Sequence, residues 1–178
     1  MLNIPVNPLK IKTMPNHLTT LGILHTAISI IAVLIAFYAL FRDGKINPAN
    51  GRGKLYVWLT AITCLTALPI MKTGHLTAGH YVAITVLILL PIGIYAGRLF
   101  GKLADYLQVI IMSTTLFFSL IPAIVETLTR LPIDHPIASG PNDPIIQRGL
   151  MALVLLYVIG VLYQVVKLRE QRKAVQPL

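Results

Sequence analysis

Five long apolar runs, separated by short polar breaks, organise the chain. A bilayer-crossing helix needs about 20 mostly apolar residues, and the runs predict spans over residues 17–41, 55–71, 76–98, 103–125 and 149–166. The first has Asn16 or Thr19 as its N-cap, just after Pro15, and Arg42-Asp43-Gly44 ends it. The break from Gly44 to Lys54 holds three glycines, one proline and three cations, the composition of an exposed turn. A polar hinge, Lys72-Thr73-Gly74-His75-Leu76-Thr77-Ala78-Gly79-His80, leads into the third run. Between Arg130 and Pro144 four prolines exclude a regular helix or central strand and predict the longest extramembrane loop. The runs are continuously apolar, which excludes a β-barrel, where apolar and polar residues alternate. No repeat or linker divides the chain. The fold class expected is an all-α integral membrane protein, one domain over 1–178 built as a bundle of five transmembrane helices.

Composition agrees with the pattern. Hydrophobic residues make up 56% and charged residues 12% of the 178, against about 25% charged in soluble domains. A net charge of +9 invites a nucleic-acid reading, but the basic residues sit between apolar runs and in the tail, so no nucleic-acid partner is expected. Their distribution sets the orientation. Five cations (Lys10, Lys12, Lys72, Arg130, Arg148) share one side with the N-terminus, and ten lie opposite, which predicts an outside N-terminus and a cytoplasmic C-terminus. Met1-Leu2-Asn3-Ile4-Pro5 has no basic n-region or cleavage site, so the first run reads as a retained span in a bacterial inner membrane. The single cysteine, Cys64, lies inside a run, where it reads as a small packing residue.

In this topology all five histidines (His17, His25, His75, His80 and His135) fall at the outer side. His25 lies two turns into the first span, where an imidazole needs a partner within the bundle. His80 opens the third span. Two imidazoles facing each other from different helices are what haem b needs for axial ligation, and the same pair can hold copper or zinc, with His75 and His135 as further ligands. The alternatives are a hydrogen-bonded packing residue for His25 and a helix cap or headgroup contact for His80. Asp134 is placed to orient His135, or is a turn residue before Pro136. Glu126 accepts protons from a quinol, or lies beside the His25 and His80 site, or pairs with Arg130 one turn on.

Other features read as architecture. Gly93, Gly97 and Gly101, four apart, suggest a ridge for close helix approach, Lys102 and Asp105 an interfacial pair, and Pro122 a kink. No phosphate loop, Ser/His/Asp set, Cys-x-x-Cys or zinc-protease motif is present, and the centres of the spans carry no charge.

The order of His25, Arg42-Asp43-Gly44-Lys45, Gly53-Lys54-Leu55-Tyr56-Val57 and Gly79-His80 resembles a bacterial family of multi-helix membrane proteins with no assigned activity. The likeness covers roughly the first hundred residues. Many members carry a histidine before the second span, where this chain has Asn47-Pro48-Ala49-Asn50, so no ligand transfers from that loop. The family's arrangement looks like that of small b-type membrane cytochromes. Two functions stay open: a haem- or metal-binding protein exchanging electrons with quinol through His25 and His80, or a cofactor-free structural or assembly subunit docked to other membrane subunits through its apolar surface.

Overall fold

The computed structural model describes residues 19–70, 75–132 and 134–175. Every regular element among them is helical: α1 (Thr20–Asp43), α2 (Gly51–Ala67), α3 (Ala78–Ile94), the short α4 (Ala96–Leu99), a 3-10 turn (Gly101–Leu103), α5 (Ala104–Arg130) and α6 (Pro144–Val175). α1, α5 with its preceding turn, and α6 are long and apolar enough to cross a membrane, while α3 is apolar but shorter. The N-terminal cations, Asn16, His17 and Lys72 lie outside the described residues.

Local chemistry sets the helix ends. Thr19 caps α1 by accepting from the Gly22 N–H at 3.1 Å. Gly44 closes it with φ +71°, a left-handed conformation open to glycine, and its N–H returns to the Leu40 carbonyl. Asn50 caps α2 through the Gly53 N–H at 2.8 Å. The second span ends earlier than expected, at Ala67 and not at residue 71.

The third span also stops short of Arg98. The backbone leaves α3 at Tyr95, and the Gln108 side chain of α5 donates to the Gly93 carbonyl at 3.0 Å. That break dismantles the expected glycine ridge. A Cβ at Gly93 would meet Met112 Sδ at 2.8 Å, whereas one at Gly97 or Gly101 would meet nothing within 4 Å. Gly93 alone of the three marks a close approach.

The last two helices overrun their expected limits. α5 carries Pro122 inside it and continues to Arg130. α6 starts at Pro144 because Asp143 caps it: the carboxylate accepts from the Ile145 N–H at 3.0 Å, and proline suits the first helical position. At its far end α6 continues through the charged tail, where Arg172 pairs with Asp105. Asp105 therefore ties α5 to α6 and does not form the ion pair expected with Lys102.

α1, α2, α3 and α5 form a ring in which α1 packs on α2, α2 on α3, α3 on α5, and α5 back on α1. α6 lies outside, packed on α5, with the Lys167 side chain beside Gly44 at the foot of α1. Within the ring α1 and α3 are diagonal, with no Cα–Cα approach within 8 Å. On α1 residue size sorts inversely to a soluble bundle. α1 buries Gly22, Ala32, Ala36 and Ala39 and turns outward Ile30, Leu34 and Phe41, the last 88% exposed. α2 buries Gly53, Tyr56, Thr60 and Cys64, with Leu55, Trp58, Ile62 and Leu65 outside. Lipid is as apolar as leucine, so large side chains gain nothing by facing inward, while small residues let the backbones pack closely.

Candidate functional site at the histidine end

Two ends of the bundle can be told apart by what the helices bring there. At one end Asp43 at the foot of α1 meets Arg52 at the start of α2, and Asp105 meets Arg172. At the other, His25 near the start of α1 reaches the last turns of α2. Glu126, near the end of α5, lies at the same end as His25. These pairings make α1 antiparallel to α2 and to α5.

His25 is half-buried. Its Nδ1 lies 3.0 Å from the Thr63 carbonyl oxygen and 3.2 Å from Thr66 Oγ1. A carbonyl can only accept, so Nδ1 carries the hydrogen, and in the neutral ring Nε2 keeps its lone pair. The ring is thereby fixed as an acceptor. The Thr63 and Thr66 hydroxyls differ: Thr66 Oγ1 also donates to α2 carbonyls, while Thr63 Oγ1 is buried with no partner.

His80 is oriented the opposite way. It is 4% exposed, the third residue after Thr77, and stands where Glu or Gln stands in a capping box. The Thr77 backbone N–H donates to His80 Nδ1 at 3.0 Å, and the Thr77 hydroxyl lies 2.8 Å from the same atom. A backbone N–H can only donate, so Nδ1 is the acceptor and Nε2 carries the hydrogen. That Nε2 is buried and has no hydrogen-bond partner. The capping role and the buried, unpartnered donor belong to the same ring.

This difference decides what the pair fits. An axial ligand to haem needs the lone pair on the nitrogen facing the iron, with the other nitrogen donating to a carbonyl or carboxylate. His25 meets that description through Nε2. His80 does not, because its Nδ1 is engaged by two donors and its Nε2 bears hydrogen. The expected bis-histidine haem site therefore does not fit the two rings as they stand. Nor do additional ligands gather: among the described residues no three of His, Cys, Asp and Glu lie close enough to share a metal ion. His75, Asp134 and His135 are exposed on loops. Glu126 forms an ion pair with Arg130 on the continuing helix, the simpler of its two expected roles.

A polar feature that no motif announces lies deeper. Tyr56 is fully buried, and its phenol oxygen is 2.9 Å from Thr115 Oγ1 on the diagonal helix α5. Thr115 in turn donates to the Met112 carbonyl at 2.7 Å, which leaves the phenol as donor to Thr115. The sequence signal is the spacing of Gly53, Tyr56, Thr60 and Cys64, which puts small and hydroxyl-bearing residues on one helical face. Glycine at position 53 is enforced, since a Cβ there would sit 1.8 Å from the Asn47 carbonyl oxygen.

No family model, curated protein or solved structure matches the chain.

Proposed function

We propose that the protein crosses a bacterial inner membrane five times, N-terminus outside and C-terminus cytoplasmic, and binds the head group of a quinol at its histidine end. The observation that carries this reading is the His25 hydrogen bond to the Thr63 carbonyl, which leaves Nε2 as a lone-pair acceptor part-way into the bundle. A quinol hydroxyl donates to such an atom and a quinone carbonyl does not. The bare Nε2 of His25 is the atom that takes a proton when the quinol is oxidised. The electrons leave to a redox centre in a partner membrane subunit, which joins the quinol reading to the expectation of docking.

A haem b held by His25 alone is the second reading, and the Nδ1–H to carbonyl bond favours it because ligating histidines are oriented in that way. Haem would supply one-electron chemistry at that nitrogen. Copper or zinc draws no support from the side chains grouped here.

The two readings part in one experiment on the purified full-length protein. Titration with a short-chain quinol is expected to show saturable binding that His25→Ala weakens at least about tenfold, the loss of one strong hydrogen bond in a desolvated site. His25→Gln, which retains an acceptor oxygen, keeps part of the affinity. A Soret band after incubation with haemin, lost in His25→Ala, supports the haem reading. Quinol binding unchanged in His25→Ala, with no Soret band in the wild type, removes both and leaves a structural or assembly subunit.

A further inference from the structure

α5 and α6 are antiparallel and joined by polar contacts along their middle. Ser113 donates to Gln164 at 3.1 Å, the Thr114 and Tyr157 hydroxyls are 2.8 Å apart, and the Phe117 and Tyr157 ring centres lie 4.8 Å from each other. Toward the histidine end small residues take over. Ala123, Thr127 and Gly149, with Ile124 and Leu128, line a groove of about 410 Å³, a volume within the range of ligand pockets. Gly149 holds α6 close to α5, since a Cβ there would meet Ile124 Cγ2 at 3.3 Å. Ala123 and Thr127 are exposed, so the groove opens sideways. No charged residue lines it.

The charge lies beside it. Of the two arginines described at this end, Arg130 is held by Glu126, while Arg148 is exposed and pairs with no carboxylate among the described residues. Arg148 is bonded to Gly149, which sets its Cα about 3.8 Å from that of a residue in the groove wall. Side chains on a helix lean toward its N-terminus, and α6 starts at Pro144 at this end. The guanidinium of Arg148 is thus directed toward the membrane surface, its stem along the apolar flank.

We propose that this groove holds one acyl chain of a phospholipid whose phosphate is bound by Arg148. The stretch from Ala123 to Leu128 is only about 8 Å of helix, too short to seat a partner helix about 10 Å across, but open enough for a single chain. A planar guanidinium matches a phosphate with two parallel N–H bonds, a fit that an uncharged quinol tail does not use. The lipid is a bound ligand and not part of the shifting boundary layer. This inference does not rest on the quinol reading.

Native mass spectrometry of the full-length protein released from detergent micelles tests it, with titration by dioleoyl phosphatidylglycerol and by dioleoylglycerol, which has the same chains and no phosphate. One phosphatidylglycerol is expected to stay bound at concentrations where dioleoylglycerol does not. Arg148→Gln is expected to weaken phosphatidylglycerol about tenfold and to leave dioleoylglycerol unchanged. Ala123→Leu fills the groove from an exposed position and is expected to weaken both lipids about tenfold, while Ala123→Ser keeps the groove open and retains binding, which separates blocking from misfolding. His25→Ala is expected to leave phosphatidylglycerol binding as it is, so the quinol reading can fail alone. Equal binding of the two lipids, or no change in Arg148→Gln, means boundary lipid only and overturns the proposal. So does a dimer that Ala123→Leu abolishes, which would make a second copy of the chain the occupant, or displacement of phosphatidylglycerol by a long-chain quinol at concentrations where dioleoylglycerol has no effect.

Discussion

The two ends of this bundle solve opposite problems. At the cationic end the carboxylates of Asp43 and Asp105 are matched by arginines. Arg52 donates from Nε and Nη2 to the two Asp43 oxygens at 3.0 and 2.8 Å, Asn50 adds a third bond to the same carboxylate, and the guanidinium lies 5.7 Å from the Tyr38 ring centre. At the histidine end the ledger stays open: two hydroxyls and an imidazole N–H are buried without partners, and a second imidazole keeps a free lone pair by virtue of its tautomer. Matched and unmatched polar groups are thus placed apart. The closed end can hold the helices in register while the open end tolerates the unmatched donors and acceptors that a ligand or water requires.

Perturbing the closed end has the largest expected effect. Gly53→Ala drives a Cβ into the Asn47 carbonyl at 1.8 Å, a backbone contact with no side chain to move aside. It is expected to cost about 3 kcal/mol, the upper part of the range for overpacking, read as unfolding in mixed detergent micelles. Gly97→Ala, which meets nothing within 4 Å, serves as the matched control and is expected to be neutral or slightly stabilising. Equal losses for the two would remove the claim that the loop is locked onto α2.

Tyr56→Phe comes next, at the boundary between the two ends. It deletes the donor to Thr115 across the ring and is expected to cost about 1 kcal/mol, the net worth of a buried hydrogen bond whose partner keeps another. A stabilised variant would show that the phenol is not satisfied in the folded bundle.

Arg52→Ala opens the clamp on Asp43, whose geometry is bidentate but partly solvated. A smaller loss is expected, diminishing as salt is raised, because exposed pairs are screened. A loss that does not change with salt would point to the packing of the arginine stem on Tyr38 instead.

The smallest effect concerns the α6 cap. The Asp143 carboxyl is held below its ordinary range first by the Ser139 backbone N–H, then by the Ile145 N–H and the Ser139 hydroxyl. The folded value is depressed, so the cap's contribution is complete above the unfolded value near about 4 and is lost as pH falls through the folded one. Stability of the wild type, compared with Asp143→Asn, is expected to converge below pH 4 and to differ by a constant amount from pH 5 to 7. A difference that grows with pH across the neutral range would assign the effect elsewhere.

The helix ends can be read from the chain at both ends of the bundle, since Thr19, Asp43-Gly44 and Asn50 obey local rules. The Asp143-Pro144 cap obeys them too, but the surrounding prolines mask it as loop. The Asp43–Arg52 and Asp105–Arg172 pairs depend on tertiary approach and carry no spacing signal. The histidine end is less legible for a sharper reason. His25 and His80 look equivalent in sequence, and what separates them is whether a carbonyl or an N–H faces Nδ1. Likewise, threonines within an apolar run count as neutral in hydropathy, and only the packing shows that the Thr63 hydroxyl turns inward.

The central claim is that the two imidazoles are held in opposite tautomers, one an acceptor and one a donor. Nitrogen-15 NMR of histidine-labelled protein at neutral pH measures this directly, with His25→Gln and His80→Gln assigning the signals. The account predicts a hydrogen on Nδ1 and a bare Nε2 for His25, and the reverse for His80. Two rings in the same tautomer, with Nε2 bare in both, would contradict it and return the bis-histidine haem site to consideration.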